Sequence, residues 1–211
     1  MNRLQLIKLA LFPAALLPLA RLAWKGFHDG LGANPIEVIT HSTGDWALIL
    51  LLVTLSISPL RRITRQYWLV GIRRMIGLFA FFYASLHFLT YIWLDKFFDV
   101  HEMLKDIGKR PFITVGFSAF VLLIPLALTS TAGWIRRLGG KNWQRLHRLI
   151  YLTAILGVTH YWWLVKADIR RPEQYAVLLG ILLLYRIVSW AWTKRQRSAV
   201  TPRPAVEASE A

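Results

Sequence analysis

The stretch RRMIGLFAFFYASLHFLTYIWL, residues 73–94, decides the fold. Two arginines open it, and the twenty residues that follow carry no charged side chain apart from a titratable His87. That is the length of apolar helix needed to cross a hydrocarbon core of about 30 Å. A second stretch, RLHRLIYLTAILGVTHYWWLV at residues 145–165, has the same form: a basic edge, an apolar run and a deep histidine, His160. A chain built of such blocks takes the bilayer as its solvent.

Working outward, six spans are expected, at about residues 6–24, 46–60, 75–94, 112–132, 146–165 and 174–192. The second is short and needs its polar flanks to cross. Pro13, Pro18 and Pro125 fall inside spans, where neighbouring helices can re-satisfy freed backbone groups. The expected fold is all-α, a polytopic six-helix transmembrane bundle occupying residues 1–192, with a disordered tail over 193–211. Arg3 and Lys8 before an apolar stretch also fit a cleaved signal peptide. The length and the two prolines favour a retained span.

The formal net charge of +15 is unevenly spread. Arg61, Arg62, Arg65, Arg73 and Arg74 crowd one connector, and Arg136, Arg137, Lys141, Arg145 and Arg148 another, with no acid in either. Nine of the eleven acids fall in the alternate segments, near residues 25–45, 95–111 and 166–173. The positive-inside rule puts both termini and the basic connectors in the cytoplasm and the acidic loops outside. Charge of this kind sets topology and needs no nucleic acid partner. The chain has no cysteine, which excludes covalent CxxCH heme attachment, cysteine-ligated clusters and disulfides. Histidine remains the obvious metal ligand.

His87 lies thirteen residues past Arg74, and His160 fifteen past Arg145. At about 1.5 Å per residue, both sit roughly 20–22 Å from the cytoplasmic edge. Their spans run in the same direction, so the two imidazoles can meet at one depth and supply both axial positions of a b-type heme. His147 sits near the cytoplasmic edge. It suits a second heme, yet an ideal helix sets it roughly 140° around from His160, and Gly157 is one place for the irregularity that would align them. One heme or two therefore stays open. His101 reads as a residue of the outer loop, His28 as an ordinary loop residue, and His41 as a loop or cap residue near the outer site. No catalytic residue is assigned.

GLGANP at residues 30–35, HSTGDWAL from His41, RRMIGLFAFFYASLHFLTY from Arg73, RPFITVG from Arg110 and TSTAGWIRRLGGKNWQRLHRLIYLTAILGVTHYWWLVK from Thr129 come in a telling order. Together they resemble the ferric-reductase-like transmembrane family, which includes NADPH oxidases and STEAP-type reductases. The resemblance covers nearly the whole chain up to about Trp192. It implies a heme b conduit in the bacterial inner membrane, with His87, His147 and His160 matching the family's heme histidines. The implied acceptor is a periplasmic molybdenum-containing methionine sulfoxide reductase that repairs oxidised proteins. The implied donor is the quinone pool or a cytoplasmic flavin reductase. An FMN is also associated with this branch, and Arg73 and Arg74 could hold its phosphate or simply set topology. Where the oxidases place an inner-heme ligand early in the third span, this chain has Arg73. With 19 residues after Trp192, a nucleotide-dependent enzyme in one chain is not expected, and donor and acceptor are separate partners.

Two other classes are weighed. A transporter using His87 and His160 as proton or metal sites should show buried acids and paired helix interruptions, and neither is evident. A structural protein, with histidines as interhelical glue, would bind no chromophore.

Overall fold

The computed structural model describes residues 2–165 and 168–200. Among these the chain is all helical: α1 (Arg3–Phe27), α2 (Pro35–Thr64), α3 (Leu69–Leu89), α4 (Val100–Lys109), α5 (Pro111–Leu128), α6 (Ala132–Leu146), α7 (Leu149–Leu164) and α8 (Arg170–Val200). A π-helical turn, Thr90–Asp95, extends α3. Five helices are long and apolar enough to cross a membrane: α1, α2, α3 with its π extension, α5 and α8. The apolar helix α7 is shorter, at 16 residues.

Local chemistry sets the helix starts. Asn2 and Gln5 form a reciprocal capping box on α1. The Asn34 side chain accepts from the Glu37 amide, with Pro35 at the first helical position of α2. That start lies well before the expected limit at residue 46, so the segment from His41 to Asp45 is helical, and α2, at 30 residues, is not short. The last helix likewise runs past the expected limit at 192, because Lys194 and Arg195 are good helix formers. The remaining tail, 201–211, lies outside the described residues, as do Lys166 and Ala167 in the expected outer loop.

The core lies between α2, α3, α5 and α7, around Leu52, Leu55, Ala80, Leu123 and Ala154. Small residues permit close approach, as membrane bundles require: a Cβ on Gly77 of α3 would touch Thr54 of α2 at 3.4 Å. The outer faces are apolar instead of charged; Leu6, Phe12, Ile181, Leu184 and Ile187 are all exposed. Such a surface suits lipid.

Helix α1 contributes no buried residue, yet one side chain ties it to the bundle. The fully buried Tyr83 hydroxyl donates to the Ala15 carbonyl at 2.8 Å and accepts from the Leu19 amide at 3.3 Å. It is thereby inserted into a rung of α1 beside Pro18, where the ladder is already weakened. Tyr83→Phe leaves both backbone groups without this partner. The expected cost is about 1–3 kcal/mol, read as a lower melting midpoint in detergent and faster proteolysis of α1.

On the acidic side, Phe97 and Phe98 adopt left-handed backbone, φ 47° and 62°, and turn the chain into α4. The buried Asp106 fastens α4 by ion pairs to Lys96 at 2.6 Å and Arg110 at 3.4 Å. The Lys96 hydrogen bond holds the Asp106 carboxyl below the usual carboxylate range and raises Lys96 in return.

Candidate functional site

His87 on α3 and His160 on α7 meet inside the bundle with ring centres 6.1 Å apart and ring planes 73° to one another. The Nδ1 of His87 lies 2.9 Å from the Thr40 carbonyl on α2, and the Nδ1 of His160 lies 2.7 Å from the Phe112 carbonyl on α5. A carbonyl only accepts, so each Nδ1 carries the proton and each Nε2 keeps its lone pair. This is how a backbone carbonyl orients a metal-binding imidazole. Two glycines make room for the rings. A Cβ on Gly44 would lie 3.0 Å from His87 Cε1 and Nδ1, and one on Gly116 only 2.6 Å from His160 Nδ1.

The histidines line a cavity of about 580 Å³, within the range of small-molecule and cofactor sites. Small side chains, among them Ala47, Ala84 and Ala119, widen it, and Phe88 and Phe120 give it apolar walls. Asn34, His41, Asp45, Asp95 and Arg110 lie around the same cavity on the acidic side. The fit to heme can be tested on the spacing. A metal–imidazole bond is about 2.0–2.1 Å and the ring centre lies about 1.1 Å beyond the nitrogen, so two imidazoles on opposite faces of one iron have centres about 6.2 Å apart. The observed spacing agrees, and the lone pairs are the ones required. Among the described residues no three His, Cys, Asp or Glu side chains converge. A pair suits an iron whose other ligands come from a macrocycle better than a bare cation.

His147 is set apart from this pair. It caps the end of α6, and the chain turns at His147–Arg148 before α7 begins at Leu149. The irregularity that the spacing asks for is therefore this helix break, not Gly157. The Thr129 hydroxyl donates to the Pro125 carbonyl at 2.6 Å, so at 3.1 Å from His147 Nε2 it accepts. Trp143 stacks on the ring at 4.0 Å and donates to the Thr129 carbonyl. His147 thus has its Nε2 engaged, the reverse of His87 and His160.

The remaining histidines are peripheral. His41 is exposed on the second turn of α2, 3.8 Å from Glu37. His101 is exposed on α4, a helix and not a loop. His28 caps α1, with its Nδ1 2.9 Å from the Trp24 carbonyl and its ring stacked on Trp24. Arg73 and Arg74 diverge: Arg73 turns inward and donates to Ser58 Oγ at 3.3 Å, whereas Arg74 is exposed. Sequence reasoning passes over Arg186, the one charged residue between 174 and 192. It donates to the Tyr151 hydroxyl and to the Leu55 carbonyl. A lone arginine inside an apolar span is the signal that could have found it.

A helical membrane bundle that offers two oriented imidazoles across one apolar cavity belongs to the class of heme-binding membrane proteins. Residues 43–158 match the family described as ferric reductase like transmembrane component, and the chain belongs to that family. It is 60% identical to the protein-methionine-sulfoxide reductase heme-binding subunit MsrQ of Herminiimonas arsenicoxydans, over 93% of this chain and 90% of that one. It is 50% identical to the protein of the same name from Ralstonia nicotianae, over 93% and 91%. For the Bordetella pertussis protein of that name the identity is 53%, over 90% and 92%. No solved structure matches the chain.

Proposed function

We propose that this chain is the heme-carrying electron relay of a methionine sulfoxide repair system. Electrons enter on the cytoplasmic side, from quinol or a cytoplasmic flavin reductase. They leave on the outer side to a periplasmic molybdenum-containing reductase that restores methionine in oxidised proteins. The names of the relatives support the system, and the His87–His160 pair carries the reading, because its spacing and its two Nε2 lone pairs would suit it to hold a heme iron.

Bound heme b supplies a one-electron couple inside the bilayer. This chain's part would be to hold and insulate it: His87 and His160 would hold the iron, the Thr40 and Phe112 carbonyls orient their rings, and Gly44 and Gly116 leave the space that admits them. Phe88, Phe120 and Leu123 exclude water. A second heme at His147 would require the imidazole to give up its bond to Thr129, so one heme per chain is the favoured stoichiometry.

The proposed topology has six crossings in the bacterial inner membrane, with both termini cytoplasmic and residues 1–192 as one heme domain. The five long helices and α7, extended by its flanking residues, supply the crossings. The basic connectors around Arg61–Arg74 and Arg136–Arg148 supply the orientation.

A dithionite-reduced minus oxidised spectrum of the detergent-purified protein, with heme quantified, tests the reading. Sharp b-type bands at one heme per chain are expected. A colourless protein from cells well supplied with heme would overturn it. Two hemes per chain would return His147 to the ligand set.

A further inference from the structure

We infer that α4 is a membrane anchor: Phe97, Phe98, Val100 and Leu104 seat it in the lipid headgroup zone, beside the mouth of the histidine cavity. Met103, Asp106 and Ile107 turn toward the bundle, where Asp106 is buried and the other two are half-buried. Val100 and Leu104 form the neighbouring strip, about 40° apart on an ideal helix. They are 61% and 65% exposed. His101, Lys105 and Lys109 follow around the helix, all of them exposed. Protein on one side, an uncovered apolar strip on the next and charge beyond it is the makeup of a helix lying in a membrane–water boundary.

The turn before α4 fits the same place. Phe97 and Phe98 hold left-handed backbone, at φ 47° and 62°, which bulky side chains rarely adopt. Such strain persists only where the surroundings impose it. Here the ion pairs of Asp106 with Lys96, just before the turn, and with Arg110, just after α4, fix both ends. Two aromatic rings are left 78% and 58% exposed. In water that is a costly way to leave a helix. The headgroup zone is where aromatic side chains collect.

Lipid is the occupant because the strip continues the surface that the bundle already turns to lipid. Leu89 and Trp93 are exposed on α3 and its π turn, at the four-residue steps that lead to Phe97. Charge adds no demand for an anionic surface: α4 carries Glu102 and Asp106 against Lys105 and Lys109. A zwitterionic lipid therefore suffices. The anchor bears on the site, since Ile107 and Arg110 line the cavity and the Thr114 hydroxyl of α5 donates to the Ile107 carbonyl. The bilayer thereby sets the height of the cavity's rim. Anchoring of this kind requires that the chain cross a membrane; it requires neither heme nor a particular leaflet.

The test uses the full chain in phosphatidylcholine vesicles. The sequence has no cysteine, so L104C or K105C carries a single environment-sensitive NBD label. With phosphatidylcholine bearing a nitroxide high on its acyl chain, the label at 104 is expected to be quenched at least three-fold more than the label at 105, with bluer emission. Iodide, present on both sides of the membrane, should quench them in the opposite order. In F97G/F98G the rings are gone and glycine takes the left-handed turn without strain. Lipid quenching at 104 should then fall at least two-fold while helical circular dichroism holds. V100C serves if L104C does not fold. Equal lipid quenching at 104 and 105, or iodide reaching 104 as readily as 105, would overturn the anchor and leave the strip to a soluble partner or a second copy. Quenching at 104 unchanged in F97G/F98G would overturn the part given to the rings. The heme bands of each labelled variant test the relay reading separately, since a colourless protein can still show the anchor.

Discussion

His87→Ala and His160→Ala should each abolish the b-type spectrum of the purified protein, cutting heme per chain at least ten-fold while the chain still inserts and folds. Each imidazole is a part-buried ring whose Nδ1 is tied to a carbonyl on a different helix, so its Nε2 is aimed from a fixed post. Removing one ring leaves the iron with one ligand of the pair, and His41, the other histidine at the cavity, is exposed on α2 beside Glu37. The lost bonds to Thr40 and Phe112 are modest beside this, since a net hydrogen bond is worth about 1 kcal/mol. Folding, read by size-exclusion and helical circular dichroism, should survive. His147→Ala is the comparison: with Nε2 engaged at Thr129, its loss should leave most of the absorbance. Full heme with an unchanged spectrum in either His87→Ala or His160→Ala would sink the ligand assignment.

The sequence makes this pair legible for a simple reason. Helix rise is fixed, so counting from Arg74 and Arg145 gives depth, and two parallel spans with histidines at one depth bring them together. The same arithmetic assumes ideal helices, and it fails where the backbone departs from one. It keeps His147 on the helix of His160, but the chain breaks at His147–Arg148. It sees α2 as short, because hydropathy registers where the apolar residues begin and not where Asn34 and Pro35 start the helix. Nothing in hydropathy signals the π turn after Leu89. Arg186 is hidden by the averaging that finds spans, as one charge among eighteen other residues barely moves the mean. Its partner, the Leu55 carbonyl orphaned by Pro59, emerges only when two distant helices are placed side by side.

Gly116→Ala tests how the site is tuned, and it should lower heme affinity about 10–100-fold, the usual effect of losing an orienting partner. The new Cβ would lie 2.6 Å from His160 Nδ1, 2.8 Å from Cε1 and 2.9 Å from Cγ. Real Cβ atoms do not approach so closely, so the ring has to move. It cannot swing away freely, because Nδ1 is held 2.7 Å from the Phe112 carbonyl, one turn earlier on the same helix. Relief stretches that bond and turns the ring, and with it Nε2, from its present setting against His87. Meanwhile alanine in a helix interior is favoured over glycine by about 1 kcal/mol, so α5 should not be destabilised by the substitution itself. The helix gain offsets part of the cost of moving the ring, about 1–3 kcal/mol for overpacking, so the expected outcome is a lower heme occupancy, with altered reduced bands, in a protein that still folds. Gly44→Ala, whose Cβ would meet His87 at 3.0 Å, should act in the same direction but more weakly. If Gly116→Ala binds heme like the parent, His160 has more freedom than its packing allows, and the glycine is there for helix approach alone.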